Sequence, residues 1–227
     1  MSETVRLNKF LAERLGISRR EADNLIVTGK IKLNGQKAVL GAHIDKNSKV
    51  CYNEKIVPFL VEFSYLLLHK PVGYVCSRKK QGEAETLYSL LPEQYQKLKT
   101  VGRLDKNSSG LIILTDDGDF AFRMTHPRFR KTKVYEVELD RELPPLHQQM
   151  IADFGIKLED GVSKLGLERL DANGRRWKVV MSEGRNRQIR RTFAALGYQV
   201  KRLHRWSFGN YQLGNLQPGE FKSFKQT

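Results

Sequence analysis

The chain of 227 residues carries only two cysteines, Cys51 and Cys76. Two thiols are too few for a disulfide framework and fit a reducing cytosol. No apolar run is long enough to cross a bilayer; the most apolar stretch, 57–68, is interrupted by Pro58, Glu62 and Ser64. The first residues, Met-Ser-Glu-Thr-Val-Arg, lack the apolar core and small-residue cleavage site of a secretory signal, so a cytoplasmic protein with no membrane contact is expected. There is no internal repeat and no low-complexity tract. His43, His69, His126, His147 and His204 do not combine with the cysteines into any metal-ligand spacing. Acid is scarce as well: 25 Asp and Glu face 40 Lys and Arg, a net charge of +15. Such a surface attracts phosphate backbones at long range.

The chain reads as two domains, 1–60 and 61–227. In the first, Leu7, Phe10, Leu11 and Leu15 fall on one helical face and Gly16 ends the run. Ser18-Arg19-Arg20-Glu21 is a capping box that opens a second helix, with Ala22, Leu25 and Ile26 as its apolar side and Gly29 as its stop. Ile31-Lys32-Leu33 then meets Asn34-Gly35, a tight-turn pair, and a further short strand is expected over 49–52. Arg6, Lys9, Arg19, Arg20, Lys30 and Lys32 alternate with the apolar positions and therefore belong to exposed surface. They form either a solvated face or a phosphate-gripping one. Residues 58–64 read as a short linker that is not Gly/Ser-rich.

Strands are expected over 65–68, 111–114, 134–139, 177–181 and 198–203. Helices are expected near 118–125, 146–154 and 186–196. Without strict alternation of strand and helix, this pattern indicates an α+β domain with a mixed, largely antiparallel sheet. Three segments carry possible chemistry. Gly102-Arg103-Leu104-Asp105 precedes Ser108-Ser109-Gly110, a Gly- and Ser-flanked loop of the kind on which scaffolds hold functional groups. Glu183 to Arg191 places Arg187, Arg190 and Arg191 at helical spacing, so they share a face and call for carboxylates or phosphates as partners. Lys131-Thr132-Lys133-Val134-Tyr135 puts Tyr135 on the strand face of Val137 and Leu139. Taken singly, each has a plain structural explanation: a surface salt bridge, a solvated basic stripe, a core tyrosine.

Taken together they resemble one family. Val5 to Leu11, Ser18 to Ala22 and Gly29 to Gly35 resemble the S-four-type RNA-binding domain. Leu68-His69-Lys70-Pro71-Val72-Gly73-Tyr74-Val75-Cys76-Ser77, Val101 to Leu111, Leu114 to Gly118, Lys133-Val134-Tyr135 and Glu183 to Arg191 resemble the pseudouridine synthases of the ribosomal small-subunit (RsuA) type. The departure is His69, where that family usually has Asn. The resemblance implies a small N-terminal α/β RNA-binding domain followed by a catalytic domain of the pseudouridine synthase fold. It implies isomerisation of a uridine in ribosomal RNA without metal or cofactor. It also implies Asp105 as the catalytic aspartate, Tyr135 as the ring that stacks on the target base, and Arg190 as the cation paired with the aspartate. Arg6, Lys9, Arg19, Arg20, Lys30, Arg103, Arg187 and Arg191 are the residues expected to bind RNA. The expected partner is ribosomal RNA within a subunit assembly intermediate, met by a monomer.

The reaction breaks the N1–C1′ bond, turns the uracil and rejoins it through C5. A carboxylate can attack C6, attack C1′ or remove the C2′ proton, and the residues do not choose among these. In a partly dry pocket desolvation favours a neutral acid and a neighbouring guanidinium favours the anion. Extruding the base costs a few kcal/mol, and an aromatic platform recovers about 1–3 kcal/mol. Two other readings compete. One is a non-catalytic RNA-binding assembly factor, which leaves the joint presence of Asp105, Tyr135 and Arg190 unexplained. The other is a metal-dependent RNA hydrolase using Asp105, Asp116 and Asp117, although Asp116-Asp117-Gly118 is more simply a turn. Within the family, small-subunit RNA is favoured over large-subunit RNA.

Overall fold

The computed structural model describes residues 4–59 and 62–226. The N-terminal Met1-Ser2-Glu3, Leu60 and Val61 within the expected linker, and the 60/61 boundary itself lie outside the described residues. The chain forms two compact units, 1–64 with 116–118, and 65–115 with 119–227.

In the first unit, β1 (Val5–Arg6) leads into α1 (Leu7–Leu15), which Gly16 ends in the left-handed region at φ 68°. The Ser18 capping box forms: Ser18 Oγ accepts from the Glu21 amide at 3.2 Å and the Ser18 amide donates to the Glu21 carboxylate at 2.6 Å. It opens α2 (Arg19–Val27). Four strands follow, β2 (Ile31–Leu33), β3 (Gln36–Lys37), β4 (His43–Ile44) and β5 (Val50–Tyr52), and then β6 (Lys55–Ile56). The sheet order is β3-β2-β5-β6, with β4 paired to β1. Asn34 and Gly35 both have positive φ, 51° and 88°, as a type I′ hairpin turn requires. Leu7, Phe10, Leu11, Ala22 and Ile26 from the helices meet Ile31, Ile44 and Val50 in one buried cluster.

The second unit is built on one sheet. Its strands are β7 (Tyr65–Lys70), β8 (Lys99–Val101), β9 (Ser109–Thr115), β10 (Lys133–Leu139), β13 (Gly166–Arg169), β14 (Arg176–Met181), β15 (Val200–Phe208), β16 (Tyr211–Gln212) and β17 (Phe221–Ser223). The order is β13-β14-β10-β15-β9-β7-β17, with β8 on β9 and β16 on β15. A separate hairpin pairs β11 (Ile156–Leu158) with β12 (Gly161–Ser163). The helices are α3 (Gly118–Thr125), α4 (Pro145–Gln149) and α5 (Gln188–Ala194). Leu66, Leu68, Ile112, Leu114, Val137, Trp177, Val179 and Phe193 are all within 1 % of full burial in the core. The architecture is α+β with a mixed, largely antiparallel sheet.

Two expected helices differ in their limits. The 146–154 segment is α4 followed by a wider π turn, Met150–Phe154, that Gly155 closes at φ 80°. The 186–196 helix starts only at Gln188, because Arg187 has φ 46° and cannot join a right-handed helix.

All described strand pairs of the main sheet are antiparallel except β9 with β15, where His204 faces Ser109 and Arg205 faces Gly110. That contact is unusually close. A Cβ on Gly110 would stand 2.3 Å from the Arg205 carbonyl oxygen and 2.5 Å from its amide nitrogen, and Gly110 has φ 108°. Only glycine fits on both counts. Gly110→Ala is expected to destabilise the second unit by about 3 kcal/mol or more, read as a lower denaturation midpoint. A midpoint within error of wild type would show that the two strands separate at little cost.

Candidate active site

The loop between β8 and β9 carries Asp105 and is held from several sides. Gly102 turns the chain at φ 71°. The Leu104 amide donates to Cys76 Sγ at 3.4 Å, and the Gly73 amide donates to the Lys106 carbonyl at 2.8 Å. The Ser108 amide closes the turn on the Asp105 carbonyl at 3.0 Å. Lys70, with no exposed surface, donates from Nζ to the Ser108 carbonyl at 2.7 Å and to the Pro71 carbonyl at 2.9 Å. Arg190 Nη2 donates to the Asn107 carbonyl at 2.7 Å, while Nη1 donates to the Val200 carbonyl at 2.8 Å. The segment 68–77 is therefore the support on which the aspartate loop rests.

The carboxylate of Asp105 opens into a cleft of about 440 Å³, lined also by Arg103, Lys133, Tyr135, Arg187 and Arg205, a volume usual for small-ligand sites. Tyr135 sits on β10 directly across from Val179 and Arg205 and is 8 % exposed. Its ring forms part of the cleft wall. The cation nearest the aspartate is Arg187, whose Nη1 lies 3.5 Å from Asp105 Oδ2. Arg190, the expected partner, makes no ion pair with Asp105 among the described residues, although the Asp105 charge acts on it. Arg190 acts on the backbone of the same loop, and burial and then the Arg187 charge lower its pKa while Asp105 opposes that shift. The left-handed turn at Arg187 aims that guanidinium at the cleft, whereas α5 directs Arg190 beneath the loop.

The three arginines expected on one face consequently have three different partners. Arg191 pairs with Asp160 at 2.6 Å, and Arg185 pairs with the same aspartate at 2.8 Å. Gln188 ties this turn together, since its Nε2 donates to Ser163 Oγ at 3.1 Å and its Oε1 accepts from the Arg185 amide at 3.1 Å. Arg103 is exposed on the cleft wall. In the first unit Arg6, Arg19, Arg20 and Lys30 are exposed and Lys9 is half-buried.

Three cations at the site were not among the residues singled out in the sequence. Lys70 lies in the Leu68–Ser77 motif but at the end of an apolar strand, and nothing in the pattern gave it a role of its own. Lys133 donates to the Lys131 and Glu183 carbonyls and lies over the Phe208 ring at 5.0 Å. Arg205, 2 % exposed, donates from Nε to the Leu111 carbonyl at 2.7 Å, and its Nη2 has no hydrogen-bond partner among the described residues. His69, the family departure, donates from Nδ1 to the Leu216 carbonyl at 2.7 Å, which fastens β7 to the C-terminal segment away from Asp105.

Residues 64–195 match the family model described as RNA pseudouridylate synthase, and residues 5–50 match the one described as S4 domain. The ribosomal small subunit pseudouridine synthase A of Pasteurella multocida is 36% identical over 96% of this chain and 95% of its own length. The protein of the same name from Haemophilus influenzae is 34% identical over 98% and 97%. The ribosomal large subunit pseudouridine synthase B of Bacillus subtilis is 33% identical over 95% and 90%. A crystal structure of a pseudouridylate synthase superposes with a TM-score of 0.69 at 31% identity, covering 97% of this chain and 96% of that one.

Burial pulls the Lys70 pKa down to about 8, with Arg205 adding to the shift and the Cys76 and Asp105 charges opposing it. Burial and then Arg205 bring Lys133 to about 8 as well. Both stay protonated at neutral pH. Lys70 releases its proton near 8, whereas the unfolded chain keeps it to 10.5. The native state thus binds fewer protons between those values, and this lysine's contribution to stability rises with pH across that window. In a ¹³Cε titration two lysine signals, assigned by Lys70→Met and Lys133→Met, should move with midpoints near 8. Midpoints above 10 for both would mean that water reaches them.

Proposed function

The chain belongs to the RNA pseudouridylate synthase family, and on that premise we propose that Asp105 isomerises one uridine of ribosomal RNA, in the small subunit, to pseudouridine. The observation that carries this reading is the Asp105 carboxylate opening into a cationic cleft that also holds the Tyr135 ring. In the reaction the N1–C1′ bond breaks, the electron pair stays with the uracil ring, and a new bond joins C5 to C1′. C5 then loses its proton and N1 gains one, so the isomer has the same atoms. Attack at C6, attack at C1′ and removal of the C2′ proton each require the carboxylate beside an extruded nucleotide. Arg187 orients that carboxylate, Tyr135 supports the base while it turns, and Arg190 is a positioning residue that holds the loop. Lys133, Arg103 and Arg205 give the cleft the positive wall that an anionic ring or phosphate favours.

The first unit supplies affinity on this reading. Arg19 and Arg20 occupy the first turn of α2, where the helix dipole disfavours cations and favours phosphate. The proposal includes action in the cytoplasm, as a monomer, on an assembly intermediate. Among the described residues no helix is long and apolar enough to cross a membrane.

Asp105→Asn keeps the shape and loses the charge. It should abolish pseudouridine formation, a fall of at least about 10⁴-fold in rate, while RNA affinity stays within about threefold. Mapping pseudouridines in ribosomal RNA from cells with and without the gene, and with the variant, locates the uridine. A small-subunit pseudouridine restored by Asp105→Asn would exclude the aspartate. A large-subunit position would transfer the assignment to that RNA. Separately, replacing Arg19 and Arg20 with alanine should flatten the slope of log affinity against log salt by about 0.7–0.9 per lost phosphate contact. An unchanged slope would remove both residues from the RNA surface.

A further inference from the structure

The segment 122–131, Phe-Arg-Met-Thr-His-Pro-Arg-Phe-Arg-Lys, spans the last turn of α3 and most of the loop to β10 and contains four Lys and Arg and no acid. It places three rings together at the surface. Phe122 lies 4.7 Å from His126 and 5.9 Å from Phe129, centroid to centroid. Phe122 is 42 % exposed. The Arg128 guanidinium lies over both phenylalanine rings, at 5.1 Å and 4.5 Å. The backbone fixes this arrangement: Pro127 opens a 3₁₀ turn, the Arg128 amide donates to His126 Nδ1 at 3.3 Å, and Arg130 closes the turn at φ 43°. Thr125 and Pro127, between the rings in sequence, line the same cleft as Asp105. The Thr125 methyl stands 3.7 Å from where a Cβ on Gly102 would be, next to the aspartate loop. The ring cluster therefore continues from the rim of the cleft.

We propose that Phe122, Phe129 and Arg128 form a stacking platform for an unpaired base adjacent to the target uridine. The proposal rests on the reading that the cleft receives an extruded uridine of RNA. Extrusion strips a flanking base of its stacking partner. An aromatic face or a guanidinium plane recovers that interaction whatever the base, and the surrounding cations suit its phosphate. Rings used only to close the α3–β10 connection would be turned inward, as Phe120 is at 3 % exposure. Phe122, one and a half turns of loop and helix from the cleft-lining Pro127, is left at the surface instead.

The test pairs protein variants with modified RNA. Synthetic RNA spanning the uridine located by the mapping above is made with each flanking nucleotide in turn abasic. Affinity and pseudouridine yield are measured for wild type, Phe122→Ala and Phe122→Trp. At one flanking position, loss of the base should weaken wild-type binding about tenfold. Phe122→Ala should bind intact RNA about tenfold more weakly and lose nothing further when that base is missing. Phe122→Trp should restore both the affinity and the dependence on the base. Equal losses from abasic substitution in wild type and Phe122→Ala at every position overturn the platform, as does wild-type affinity of Phe122→Ala for all the RNAs. If pseudouridine forms throughout, such a failure is the platform's alone. If wild type forms none on any RNA, the functional reading falls and takes the platform with it.

Discussion

The site depends on a buried ammonium. Lys70 is out of contact with solvent, and its Nζ is bound to the carbonyls of Pro71 and Ser108. Burying a charge is costly unless polar partners take the place of water. Here the two carbonyls do so, and one belongs to the loop that carries Asp105. The loop has few ways to move that do not strand this charge. Arg190 adds the same kind of restraint from α5, through the carbonyl of Asn107. Two cations thus hold the backbone of the loop, at the carbonyls of Asn107 and Ser108, while a third, Arg187, addresses its carboxylate. The division separates holding the loop from tuning the carboxylate, and it leaves one face of Asp105 open to the cleft.

Much of the fold was legible in the residues because local rules and tertiary structure agree there. The helical spacing of Leu7, Phe10 and Leu11, the Ser18 capping box and the Asn34-Gly35 turn each appear where the pattern placed them. The 118–125 helix does too. What stayed hidden came from backbone and burial rather than from period. Helical spacing put Arg187, Arg190 and Arg191 on one face, but the left-handed turn at Arg187 sends them to three partners. A lysine in the apolar run Leu66-Leu67-Leu68-His69-Lys70 looks like the end of a strand, and only the packing shows that it is enclosed. The close contact of Gly110 with Arg205 arises from the parallel pairing of β9 with β15, which no local pattern encodes.

On the reading proposed above, the first unit supplies affinity for RNA and the second the chemistry. The first is small and presents exposed cations around two capped helices. Electrostatics of that kind give affinity and fast encounter with little sequence information. The second encloses a cleft whose walls carry Arg103, Lys133, Arg187 and Arg205 around one aspartate and one tyrosine. Both Lys133 and Arg205 lie over the Phe208 ring, at 5.0 Å and 5.1 Å, so the cleft floor is cationic. Such a floor is poorly suited to a neutral apolar ligand and well suited to a nucleotide whose base becomes electron-rich when its bond to the sugar breaks.

The most direct test of this account is a crystal structure of the Asp105→Asn variant bound to its RNA. The account predicts one nucleotide turned out of its stack into the cleft. Its ring should lie against Tyr135, and its C1′, C2′ or C6 should be about 3–3.5 Å from the residue 105 side chain. The loop should remain fastened to Lys70 and Arg190. A uridine still stacked in the RNA, or bound outside the cleft with residue 105 turned away from it, would contradict the account.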